Sequence, residues 1–168
     1  NRSYGPHKNQ QLTCKPFDLQ LGLEEITIAE ALKEAGYVTM FAGKWHVSED
    51  EEFYPLSQGF EINIGGNNTG HPAGGYFSPY KNPQLPDGHD GEYLTDRLTN
   101  EVIDFIEKNK DTTFFAYLSF YTVHLPMQGK ADKVEKYTNK VSSMNFVGDE
   151  FTTTGNTYFK HHQNMPHF

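Results

Sequence analysis

Cysteine, basic clusters and long apolar runs are all scarce in this chain of 168 residues, and each scarcity removes a class of protein. The single cysteine, Cys14, excludes an internal disulfide framework and leaves the redox compartment open. Lys and Arg number 14 against 22 Asp and Glu, a formal net charge of −8, with no basic block anywhere. That balance speaks against a nucleic-acid partner or an anionic membrane surface, and it requires any anionic substrate to be held by a few local cations. No apolar stretch approaches the roughly 18 residues of a membrane span, and no signal peptide is visible. The chain opens on Asn1 rather than Met and reads as an excerpt from something longer. Aromatic bulk is what it has instead: 13 Phe and 10 Tyr, so rings rather than Leu are expected to supply much of the core. The length suits one domain able to bury a real core. Asn1-Arg2-Ser3 and Asn67-Asn68-Thr69 match the glycosylation pattern, a triplet that arises often by chance.

Residues 1–23, rich in Asn, Gln, Lys and Pro, read as an extended connection, with residues 24–168 forming a partial α/β core. A helix is expected over Glu24–Ala35. Thr27 and Glu30 fit a capping box, Ile28, Ala31, Leu32 and Ala35 share a face, and Gly36 suits the position past its end. Tyr37–Phe41 follows as a strand buried on both faces, and Gly43 lets the backbone pass close to its surroundings. If the chain stays extended, Lys44 and His46 project to one side and Trp45 to the other. A fixed cation and a titratable imidazole would then share the carboxyl end of a strand, where open α/β sheets place ligands. The plain alternative is a solvated Lys44 and a loop histidine at 46.

Glu49, Asp50, Glu51 and Glu52 read as a solvated acidic turn. Residues 59–92 read as a long substrate-side loop, the kind that inside a compact domain is usually functional. Within it, Asp87–Gly91 is a polar turn. Tyr93–Asn109 is the best helix, its stripe formed by Leu94, Leu98, Val102, Phe105 and Ile106. Phe114–Phe120 reads as a second strand buried on both faces, with His124 soon after it, and a short helix is expected over Lys130–Lys140. Taken singly, His46 and His124 are most simply core histidines; two strands each delivering one argue for a shared site. His161, His162 and His167 have the types for a metal but no supporting partners.

The wording Ala35-Gly36-Tyr37 through Gly43-Lys44-Trp45-His46, then Gln58-Gly59-Phe60-Glu61, closely resembles the sulfatase family. The run Phe114–Ser119 followed by His124-Leu125-Pro126 resembles it again, as does the Gly, Pro and Tyr-Phe-Ser-Pro-Tyr loop. The resemblance implies an alkaline-phosphatase-like α/β fold, with a central mostly parallel sheet flanked by helices, present here only in part. It also implies roles. Lys44 binds sulfate oxygens, His46 hydrogen-bonds a formylglycine hydrate, and His124 serves the leaving oxygen. His71 is the nearest candidate for a further sulfate contact, and Asn68 could occupy the equivalent place. Ca²⁺ and the formylglycine modification are implied as cofactors, with their residues outside this chain and no metal site within it.

Cys14-Lys15-Pro16-Phe17-Asp18 begins like the family's Cys-x-Pro-Ser-Arg nucleophile but departs at Phe17 and Asp18, so Cys14 reads as an ordinary loop cysteine. The expectation is a sulfuric ester hydrolase acting on sulfated carbohydrate, secreted or periplasmic and matured by a formylglycine-generating enzyme. The fragment alone is expected to be silent. Two alternatives stay open: a phosphoesterase or phosphotransferase on the same fold, and a degenerate or glycan-binding relative that stacks sugars on Tyr76, Phe77 and Tyr80.

Overall fold

In the computed structural model, residues 18–144 are described. They fall in two units, divided between Thr122 and Val123. The expectations for Asn1, Cys14 and the histidines at 161, 162 and 167 lie outside the described residues.

Thr27 starts the first helix, α1 (Ile28–Glu34), with the full capping box: its hydroxyl accepts from Glu30 N at 3.1 Å and Glu30 Oε2 accepts from Thr27 N at 2.7 Å. The helix therefore begins at Ile28 and not at Glu24. Its buried residue is Ala29, while Ile28 stands 64% exposed, so the inward face is turned from the one the apolar spacing suggested. Gly36 closes the helix at φ +86°. Its N–H donates to Lys33 O and that of Tyr37 to Leu32 O, the paired bonds of a Schellman end.

Strand β1 (Val38–Gly43) is the centre of a three-stranded parallel sheet of order β2-β1-β3, with β2 (Ile62–Ile64) and β3 (Phe114–Ser119). The register pairs Ala42 with Ile64 and Gly43 with Ser119, so all three carboxyl ends lie side by side. Strand β2 lies within the segment expected to be all loop. Three residues with a central Asn carry too little pattern to announce a strand, and pairing with β1 supplies what propensity does not.

Alternation along β1 divides the core. Met40 and Ala42 pack into the larger cluster with Leu94, Leu98, Val102 and Phe105 of the second helix, α2 (Leu94–Asn109). Phe41 faces the other way, onto Ala29 and Phe60. Each large side chain so buried contributes about 1.5–3 kcal/mol. Ile106, counted in the stripe on spacing, is 40% exposed. Strand β3 likewise departs from full burial: every residue in it is partly exposed, Tyr117 by 49%. It is an edge strand, covered by α2 on one face and only partly by aromatic rings on the other.

In the second unit, α3 (Ala131–Ser143) has no buried residue. Among the described residues no helix is long and apolar enough to cross a membrane.

Candidate active site

The carboxyl end of β1 is built by close approach. Gly43 sits at φ +108°, and a Cβ there would collide with the Ser119 carbonyl oxygen. That carbonyl instead accepts from Lys44 N at 2.8 Å. Lys44 is half-buried and, with Phe41, Trp45, Phe60 and Tyr117, lines a groove of about 280 Å³. A cation beside so apolar a wall acts with less solvent screening than one in open water. Trp45 is fixed by three contacts: Nε1 donates to Phe53 O at 3.1 Å, and its ring meets Phe41 at 5.1 Å and Phe60 at 6.2 Å, both edge-on.

Lys44 and Trp45 line the same groove, so the extended alternation expected of Lys44, Trp45 and His46 does not hold. Positive φ at Gly43 and again at His46, +52°, breaks it. His46 is exposed and follows a different surface. Its N–H donates to Asn67 O at 3.1 Å, and a Cβ on Gly70 would run into its ring. The loop after β2 is thus moulded to the histidine. Asn68 is exposed and donates from Nδ2 to Glu49 O at 3.2 Å, tying the loop to the acidic turn. His71 is exposed and directly follows the glycine that packs on His46. The fold therefore brings the loop that carries Asn68 and His71 against His46, two residues after Lys44.

Asn67, read in the sequence only as part of a glycosylation triplet, and Asn82 and Tyr121, given no role there, support that loop from below. Asn67 is 1% exposed and donates to Gly65 O at 3.2 Å and to Asn82 Oδ1 at 2.9 Å, while its Oδ1 accepts from Thr69 N at 2.6 Å. Burial and these bonds exclude it as a glycosylation acceptor in the folded chain. Asn82 Nδ2 also donates to Gly65 O at 2.9 Å. Tyr121 donates to Gly65 O at 3.4 Å, and its own carbonyl accepts from Tyr76 at 2.8 Å. Burial pushes the Tyr121 phenol up to about 12, against a smaller opposing pull from Asn82, so it stays neutral and acts as a donor. The Gly65-Gly66-Asn67 run is the one sequence signal for this network; Asn82, between Lys81 and Pro83, carries none.

The rings suggested for sugar stacking are committed elsewhere. Tyr76 and Tyr80 are 2% and 1% exposed, and Tyr80 OH donates to Glu92 Oε2 at 2.7 Å. Burial first, and then the Glu92 hydrogen bond, raise the Tyr80 phenol well above its usual range. Arg97 closes this cluster with Glu101 at 2.8 Å and Glu92 at 3.3 Å. Burial alone would lower the guanidinium, but the hydrogen bonds to Glu101 and Glu92 outweigh it and raise it. A stacking platform of Tyr76, Phe77 and Tyr80 is therefore not available on this surface.

His124 belongs to the second unit, where it is exposed with Nδ1 3.0 Å from Leu125 O and precedes the cis Leu125–Pro126 bond. Among the described residues no group of three or more His, Cys, Asp or Glu comes together in a way that could hold a metal ion.

Comparison with known proteins finds relatives of this chain. The mouse (Mus musculus) N-acetylgalactosamine-6-sulfatase is 30% identical over 152 residues, covering 76% of this chain and 28% of the relative. The arylsulfatase of Hemicentrotus pulcherrimus is 34% identical over 131 residues, covering 64% of this chain and 23% of the relative. The chain thus spans about a quarter of the length of these relatives. The crystal structure of Ps i-CgsB in complex with k-i-k-neocarrahexaose superposes with a TM-score of 0.55 at 24% identity, over 74% of this chain and 32% of that one. That likeness concerns the fold: a parallel sheet flanked by helices, part of the alkaline-phosphatase-like α/β architecture. The sulfatase family model matches residues 3–165, nearly every residue from end to end, and the chain belongs to the sulfatase family.

Proposed function

We propose that this chain carries part of the sulfate-ester site of a sulfuric ester hydrolase acting on sulfated carbohydrate. Hydrolysis breaks the S–O bond, so charge is shared between sulfuryl oxygens and a departing alkoxide that must take up a proton. A cation and a proton-handling group are required. The observation that carries the reading is His46, two residues past Lys44 and three past the end of β1, held at positive φ against a loop shaped to it. Strained φ at a non-glycine residue persists only where the surroundings over-determine it, and it concentrates at functional sites. In this reading Lys44 binds sulfuryl oxygens as a point charge, and His46 offers a hydrogen bond from a fixed position. Asn68 and His71 add polar groups on the loop that packs against His46.

The resemblance implies a formylglycine and its calcium with their residues outside this chain, and no step here runs through either. Support for a sulfated sugar comes from the relatives named N-acetylgalactosamine-6-sulfatase.

The test follows inorganic sulfate released from a panel of sulfated glycans by the full-length polypeptide carrying this sequence, matured with a formylglycine-generating enzyme. Release that collapses in Lys44→Ala is expected, and His124→Ala tests separately the role implied for that residue. Cleavage of phosphate esters in place of sulfate esters would overturn the assignment. Sulfate release by the 168-residue chain alone would overturn its incompleteness.

A further inference from the structure

We infer that Asn67 is a positioning residue for His46, holding the backbone and ring of that histidine in its active orientation. The inference rests on the sulfatase reading for its catalytic consequence, but not for its geometry. His46 adopts φ +52°, a conformation that costs a residue with a Cβ about 1–2 kcal/mol and needs an external hold. Two groups of one loop provide it: the Asn67 carbonyl accepts from His46 N at 3.1 Å, and Gly70 lies so close to the imidazole that an added Cβ would displace the ring.

That carbonyl can only hold what is itself held. The Asn67 side chain makes three bonds, to Gly65 before it, Thr69 after it and Asn82 across from it, and these pin the loop at both ends. Asn82 and Tyr121 meet the same Gly65 carbonyl, which anchors the network to the segments following β2 and β3. The chemistry is specific to asparagine. Asp lacks the two donated bonds, Gln places the amide one methylene too far, and Ala makes none of the three bonds. Because Asn67 is buried, its role passes through His46 rather than through contact with substrate.

The test compares Asn67→Ala with Asn63→Ala. Asn63 clamps the same loop through paired bonds to Gly66 at 2.9 Å, but it has no bond to the residues that hold His46. In the 168-residue chain, long-range ¹H–¹⁵N spectra assigned with His46→Gln report the ring directly. His46 resonances are expected to leave their wild-type positions in Asn67→Ala and to stay in Asn63→Ala. Unmoved resonances in Asn67→Ala, or an equal displacement in both variants, would overturn the inference. If Asn67→Ala does not fold, Asn67→Asp carries the same comparison, since it keeps the shape and the bond from Thr69 N.

In the full-length protein, kcat toward a sulfate ester is expected to fall about 100-fold at unchanged KM, as a misplaced group of this kind demands. Unchanged kcat would overturn the catalytic consequence. Displacement of His46 in Asn67→Ala, together with a full-length wild-type protein that has no sulfatase activity, would instead support the positioning and remove the functional reading, so the two failures are distinguishable.

Discussion

Replacing Gly43 by alanine should be among the most damaging single-methyl changes in this chain, and the structure says why. Gly43 is the last residue of β1, at φ +108°, and an added Cβ would overlap the Ser119 carbonyl of β3. Positive φ alone costs about 1–2 kcal/mol for a residue with a Cβ. Relieving the overlap displaces a backbone carbonyl in a paired strand, an overpacking cost of about 1–3 kcal/mol. It also loosens the 2.8 Å bond from Lys44 N to that carbonyl, worth about 1 kcal/mol. The expected destabilisation is about 3–6 kcal/mol, a large share of the roughly 5–15 kcal/mol that holds a domain together.

Gly36→Ala is the matched reference. Its φ is +86°, but nothing lies within 4 Å of the added carbon, so it should cost only the conformational part, about 1–2 kcal/mol. Urea unfolding followed through the fluorescence of Trp45, the only tryptophan and one packed on Phe41 and Phe60, reads both variants at the site itself. If Gly43→Ala lies within about 0.5 kcal/mol of Gly36→Ala, the close approach of β1 to Ser119 does not matter energetically and the reasoning fails.

Two further outcomes follow from the same interactions. The Tyr121 phenol is raised from about 10 unfolded to about 12 folded, so the stability it contributes is complete below pH 10 and lost as pH rises through 12, up to about 3 kcal/mol. Alkaline unfolding should therefore be less steep between pH 10 and 12 in Tyr121→Phe; an unaltered slope would show that this phenol is not buried as a neutral donor. Thr27→Ala should cost about 1–2 kcal/mol and Thr27→Ser much less, because the hydroxyl both caps α1 and donates to Gln58 O at 2.8 Å. Equal losses in the two variants, measured by thermal unfolding, would assign the effect to the methyl group instead.

The tyrosines show most clearly where local reading misleads. Tyr76, Phe77 and Tyr80 look like a surface platform because the segment is rich in Gly and Pro, the usual marks of exposed loop. In the structure two of the three are core residues, Tyr76 within the cluster that also holds Tyr121 and Tyr80 locked to Glu92. A chain with this many rings and a small sheet fills its interior from its loops as well as from its strands.

Local chemistry alone was enough for some elements. The capping box at Thr27, the glycine stop at Gly36, the α2 stripe from Leu94 to Phe105 and the β1 run ending in Lys44 and His46 are written in nearest-neighbour terms, since hydrogen bonds and periodicities of this kind close within a few residues. The wording around Gly43–His46 carried the family as well. Only tertiary structure could decide which helix face turns inward, that β2 exists, that β3 is a half-exposed edge, and that Lys44 and Trp45 line one groove while His46 follows another surface. Those outcomes depend on partners far away in the chain. Asn67 meets Asn82, Gly43 meets Ser119 and Tyr121 meets Gly65, and no periodicity in sequence encodes a contact whose two halves are specified separately.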